Sequence, residues 1–218
     1  MNNNQEWIKL TASEMERRLT GEGSGHDWWH IARVWNMAKR LHETEGGDLL
    51  VVELASLLHD IADWKFVGGD DFAGGRESRK WLISIDVPEA IIDHVADIID
   101  HVSYKGSNVP TPMSTIEGKI VQDADRLDAM GAIGIARCFA YGGSKNRLLH
   151  DPNTDYSLHK TAEEYKSGDN SSLHHFYDKL LLLKDRLNTK SAKTIAEGRH
   201  KYLEAYLEQF LAEWEAEN

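Results

Sequence analysis

The chain has one cysteine, Cys138, and four prolines in 218 residues, and it contains no uninterrupted apolar run near the roughly 18 residues a membrane helix needs. A lone cysteine excludes an intrachain disulfide framework. Set within AIGIARCFAY, it is read as a small core residue and not as a nucleophile. Few prolines leave room for long uninterrupted helices. Positive charge is also scarce, with 25 Lys and Arg against 36 Asp and Glu for a net charge of −11. That balance excludes a broad surface for tracking duplex DNA or an anionic membrane. The opening MNNNQEWIKLTASEMERRL has neither the apolar stretch nor the cleavage site of a secretory leader, so a reducing cytoplasm is expected.

Helical periodicity dominates, and strand-like alternation never persists, so the fold is expected to be all-α. Helices are expected over 5–19, 27–45, 49–63, 76–86, 88–103, 114–140, 171–187 and 190–215. Gly46 and Gly47 should stop the second, Asp48 should cap the third, and Pro88 suits the first turn of the fifth. Residues 142–170 form the longest irregular stretch, a length that favours function or disorder. One domain over 1–218 is expected, with its motifs within about 20–145 and a helical extension at about 171–216 that packs back on the body.

Eleven histidines are the other conspicuous feature, and several occupy positions that should face a core. On the second helix His30 heads the stripe Val34, Met37 and Leu41, with His26 one turn before it. The apolar run LASLLHDIADW ends in His59 and Asp60, and Asp63 follows one turn later. Asp125 and Asp128 sit in KIVQDADRLDAMGAIG, where Val121 and Leu127 mark the buried side. Unpaired buried carboxylates are costly, and a divalent ion answers that cost better than the few nearby cations. A mixed nitrogen and oxygen donor set with open positions suits Mn²⁺, Fe²⁺, Ni²⁺, Co²⁺ or Mg²⁺ better than a thiolate-rich structural zinc.

GHDWWHIARVW, LASLLHDIADW and VQDADRLDAMGAIGIARCFAYGG together resemble, in order and spacing, the His, His-Asp and Asp motifs of the HD superfamily of metal-dependent phosphohydrolases, most closely its compact single-domain bacterial members. The resemblance implies a bundle of helices around a metal held by His30, His59, Asp60 and Asp125. It also implies that Asp63, where many relatives carry Glu, orients or deprotonates the attacking water. A nucleotide substrate is implied, with a lean toward pyrophosphate release from (deoxy)nucleoside triphosphates, monophosphate hydrolysis or another HD phosphodiesterase activity as the alternative, and a non-catalytic nucleotide sensor as a lesser one.

In-line phosphoryl transfer needs cations where charge collects. Arg33, Lys65, Lys105 and His101 are the candidates, while His26 and Asp128 could touch the substrate or orient a ligand. Lys145 and Arg147 lie in the long irregular stretch and could cover a triphosphate. A second metal, as in the di-iron branch of the superfamily, would require His94 and His101, seven apart on one helix edge. Trp64 stands where stringent-response alarmone hydrolases have a second acidic residue. Trp28, Trp29, Trp35 and Trp64 could stack a base, though tryptophans at helical spacing are first read as core. The sequence leaves the oligomeric state open, a homodimer included.

Overall fold

The computed structural model describes residues 3–21, 25–62, 72–106, 109–153 and 171–217. Its order is α1 (Asn3–Leu19), α2 (Trp28–Glu45), α3 (Leu49–Leu58), α4 (Ala73–Ser84), α5 (Glu89–Val102), α6 (Ile116–Asp128), α7 (Gly131–Ser144), α8 (His174–Asp178), a 3-10 turn (Leu180–Arg186) and α9 (Lys190–Trp214). Among the described residues there is no strand, and no helix is long and apolar enough to cross a membrane.

The chain forms two compact units. The first contains α1 to α5 and α6 as far as Ala124, and the second contains Asp125 onward together with Lys105–Pro110 and Gly25. In the first unit α3 is the central rod, packed by α1, α2 and α5. Eight of its ten residues are buried, which is why LLVVELASLL is apolar nearly throughout, broken only by Glu53 and Ser56, and not a one-sided stripe.

The start of α3 is fastened twice. Asp48 Oδ1 accepts a hydrogen bond from the Leu50 amide at 2.9 Å, and the Asp48 amide donates to Glu117 Oε1 at 2.8 Å. Gly47 is required between them: its φ is +94°, and a Cβ there would lie 2.9 Å from both Glu117 Oε1 and Ile116 Cγ2. Asp27 caps α2 in the same manner, its Oδ1 accepting from the His30 amide at 2.9 Å. The expected stripe is present, with His30, Val34 and Leu41 fully buried and Met37 half-buried.

Three expected helices are shorter or broken. The third stops at Leu58 and not at 63, because the His59 ring donates from Nδ1 to the Ser56 carbonyl at 2.7 Å and competes for the acceptor that the next helical amide would use. The stretch 114–140 divides into α6 and α7 at Met130, whose extended backbone (φ −115°, ψ 158°) leads into Gly131 at φ +69°. The stretch 171–187 gives only the five residues of α8 before the 3-10 turn. A repeat of three residues places Leu180 and Leu183 on one side, and both are buried. The irregular stretch also starts later than expected, since Gly142, Gly143 and Ser144 belong to α7.

In the second unit α9 lies on α7 and the 3-10 turn. Tyr206, Phe210 and Trp214 recur every fourth residue of α9 and so share a face. Phe139 of α7 stacks on Phe210, and Phe176 of α8 stacks on Tyr206 with ring centres 5.8 Å apart. Cys138 is buried beside them, its Sγ donating to the Ser172 carbonyl, and burial pushes its thiol up to about 12. It is a core residue, as its sequence context indicated. Phe176 is fully buried, so Phe176→Ala is expected to cost about 3–5 kcal/mol of folding stability in a urea titration.

Candidate metal centre

The centre is assembled where the entrance of α2 meets the exit of α3. The Asp27 cap starts α2 so that His30 falls in its first turn facing inward, while the early end of α3 leaves His59 and Asp60 just past the last helical residue. Three imidazoles then converge on one carboxylate oxygen. His26 Nδ1, His30 Nε2 and His59 Nε2 lie 3.0, 3.3 and 3.7 Å from Asp60 Oδ2. His30 Nε2 and His59 Nε2 are 3.1 Å apart. The His30 and His59 side chains are 1% exposed, whereas Asp60 at 14% and His26 at 19% form the lip.

The electrostatics follow from this crowding. Burial opposes ionisation of Asp60, but positive charge on His59 and hydrogen bonds from His26 and His30 outweigh it and hold the carboxyl well below the usual carboxylate range.

These residues fit a divalent ion on two grounds. A carbonyl only accepts, so in the uncharged form of His59, the form that binds an ion, the 2.7 Å contact to Ser56 keeps the proton on Nδ1 and turns the Nε2 lone pair toward His30 and Asp60. Two nitrogens bound to one ion at about 2.1 Å and at right angles lie about 3 Å apart, which is the His30–His59 spacing. His26, His30 and Asp60 present donor atoms that all fall within 4.8 Å of one another.

The other candidates fall into three groups. Asp63 and Lys65 lie outside the described residues, as do Trp64 and residues 154–170. Asp125 is half-buried on α6, a helix buried on nearly every side. Asp128 ends that helix and is engaged by Arg137 Nη1 at 2.9 Å. Arg33 is half-buried one turn beyond His30, and Lys105 is half-buried in the second unit. His101 is exposed at the end of α5, where its Nδ1 donates to the Asp97 carbonyl at 2.7 Å. His94 Nε2 instead meets Thr115 Oγ1 at 3.0 Å and Glu117 Oε2 at 3.7 Å. Among the described residues neither His94 nor His101 joins a cluster able to hold an ion. Lys145 and Arg147 both stand over the Tyr141 ring.

The core reading of the tryptophans holds only in part. Trp35 is half-buried, donating to Glu53 Oε1 at 3.0 Å beneath Lys39, but Trp29 is 66% exposed. His26 was legible in the sequence as a residue that could touch the substrate or orient a ligand, but its pairing with Asp60 was not. Its distance of 34 positions from Asp60 gives no periodic signal, and only its closeness to His30 in GHDWWH hinted at a shared site.

An all-helical chain with a His-Asp pair at a helix exit, facing a second helix histidine, defines the HD class, and the HD domain profile matches residues 28–130. The chain belongs to the HD superfamily of hydrolases. It is 40% identical over 194 residues to YpgQ of Bacillus subtilis (strain 168), covering 88% of this chain and 85% of YpgQ. The crystal structure of YpgQ in complex with ADP matches with a TM-score of 0.75 over 95% of each chain at 35% identity. An HD-superfamily hydrolase from Bacillus thuringiensis matches at 46% identity over 98% of this chain and 99% of that one, with a TM-score of 0.73. A Lactobacillus plantarum crystal structure gives a TM-score of 0.87 at 33% identity over 97% and 98% of the two chains.

Proposed function

We propose that this hydrolase is a divalent-ion-dependent nucleoside triphosphate pyrophosphohydrolase, in which water attacks the α-phosphorus, the bond to the β-phosphate oxygen breaks, and a monophosphate and pyrophosphate leave. The observation that carries the reading is the convergence of His26, His30 and His59 on the Asp60 carboxylate. The ADP bound to YpgQ supports a nucleotide ligand in this group.

His30, His59 and Asp60 would hold the ion together with Asp125, and Mn²⁺ suits that donor set of two imidazoles and two carboxylates. A divalent ion so held supplies a Lewis acid toward a phosphoryl oxygen and brings the pKa of water toward neutrality. Asp63 would align the water and take its proton. Arg33, Lys65, Lys105 and His101 would meet the charge that gathers on phosphate oxygens. The nucleotide pool of the cytoplasm is the natural source of such a substrate, and a single buried cysteine suits that compartment.

The test is hydrolysis of a panel of nucleoside mono- and triphosphates by the purified protein with Mn²⁺, scoring orthophosphate and pyrophosphate separately. Pyrophosphate from triphosphates is the expected result. Orthophosphate from monophosphates would make the enzyme a nucleotidase instead, and no turnover with two irons bound per chain would move it to the oxygenase branch.

A further inference from the structure

We propose that His26 is a positioning residue of the ion centre: it donates from Nδ1 to Asp60 and fixes that carboxylate for the ion without binding the ion itself. The inference rests on the metal reading above and deepens it. Three features carry it.

The first is the direction of the hydrogen bond. An ionised carboxylate only accepts, so the 3.0 Å contact between His26 Nδ1 and Asp60 Oδ2 places a proton on Nδ1. His26 thus holds Asp60 through a contact shorter than the 3.3 Å one from His30 Nε2. His59 is held differently, its Nδ1 donating to the Ser56 carbonyl on the far side of the ring at 2.7 Å.

The second is location. His26 precedes the Asp27 cap and so stands outside α2, approaching Asp60 from the rim, whereas His30 and His59 approach from the buried side. The fixed conformation of the cap, with Asp27 Oδ1 on the His30 amide, determines where the preceding residue can stand. Edge-on packing of the His26 and His30 rings, with centres 5.6 Å apart and planes at 76°, holds the ring against its neighbour.

The third is what Asp60 would do alone. It lies two residues past Leu58, the last residue of α3, and its carboxylate is partly open to solvent. A carboxylate placed this way has rotamers that turn outward, and a donor at the rim selects the inward one.

The experiment is Mn²⁺ binding by calorimetry with metal analysis of the dialysed protein, run on wild type, His26→Ala, His26→Asn and His26→Gln, with circular dichroism to confirm folding. Asparagine carries an N–H close to where the Nδ1–H of histidine lies, and glutamine carries it further out. The expected result is one ion per chain in all four, with affinity about 10- to 100-fold weaker in His26→Ala and His26→Gln and largely recovered in His26→Asn. Unchanged affinity in His26→Ala would overturn the proposal, and a raised KM with that result would make His26 a substrate contact. Loss of the ion from both His26→Ala and His26→Asn would overturn it in favour of direct ligation. A wild-type protein that binds no divalent ion would overturn the metal reading itself, and this inference with it.

Discussion

Asp60→Ala is expected to remove divalent-ion binding and hydrolysis together. The aspartate supplies the one carboxylate oxygen on which three imidazoles converge at 3.0, 3.3 and 3.7 Å. Without it, His30 and His59 would face each other at 3.1 Å with only the proposed Asp125 carboxylate to offset the charge of an ion between them. Cations leave water for a protein site only where anionic or strongly basic donors compensate the lost hydration. An affinity loss of at least about 100-fold is therefore expected, with activity falling below detection at millimolar Mn²⁺. Asp125→Ala should behave in the same way as the proposed second carboxylate. Metal content after dialysis and product assays on the same samples provide the check, with thermal melting to show that the chain still folds. Full activity in a metal-free Asp125→Ala protein would remove Asp125 from the ligand set.

Asp63→Asn is expected to separate what Asp60→Ala joins. An amide keeps the size and one acceptor of the carboxylate but can neither accept a proton from water nor carry the charge that orients it. The variant should retain its ion and its affinity for a triphosphate while kcat falls about 10²- to 10⁴-fold, the usual range for a positioned general base. Equilibrium binding of a nucleotide, compared with single-turnover rates, distinguishes this from lost binding. An unaltered single-turnover rate would leave Asp63 without a part in the chemistry.

The order and spacing of the motifs pointed to His30, His59 and Asp60 as one candidate cluster, and the periodicity of the flanking helices says why these residues face inward. His30 sits at the head of a stripe whose Val34 and Leu41 are buried, and His59 and Asp60 close a run in which eight of ten residues are buried. Helix identity was legible for the same reason. Ends such as those at Leu19 and Glu45 were legible too, but three others were not, because each of those was decided by a local event that periodicity does not encode. A ring nitrogen bonded back to the Ser56 carbonyl ended α3, a left-handed Gly131 separated α6 from α7, and a change of repeat turned LLLLKDR into a 3-10 turn. His26 escaped assignment to Asp60 because 34 residues of chain separate them. Trp29 escaped because a large aromatic in a helix is ordinarily buried, and this one is not.

The bond from His59 Nδ1 to the Ser56 carbonyl has a consequence for how this centre tolerates variation. Its acceptor belongs to the backbone, so the identity of residue 56 is immaterial to which ring nitrogen of His59 bears the proton. Among the described residues the Ser56 hydroxyl is buried without a hydrogen-bond partner, so the side chain at that position brings nothing the centre depends on. Drift at position 56 can proceed while the lone pair of His59 keeps its direction, and only a change of helix geometry, or of His59 itself, can turn it.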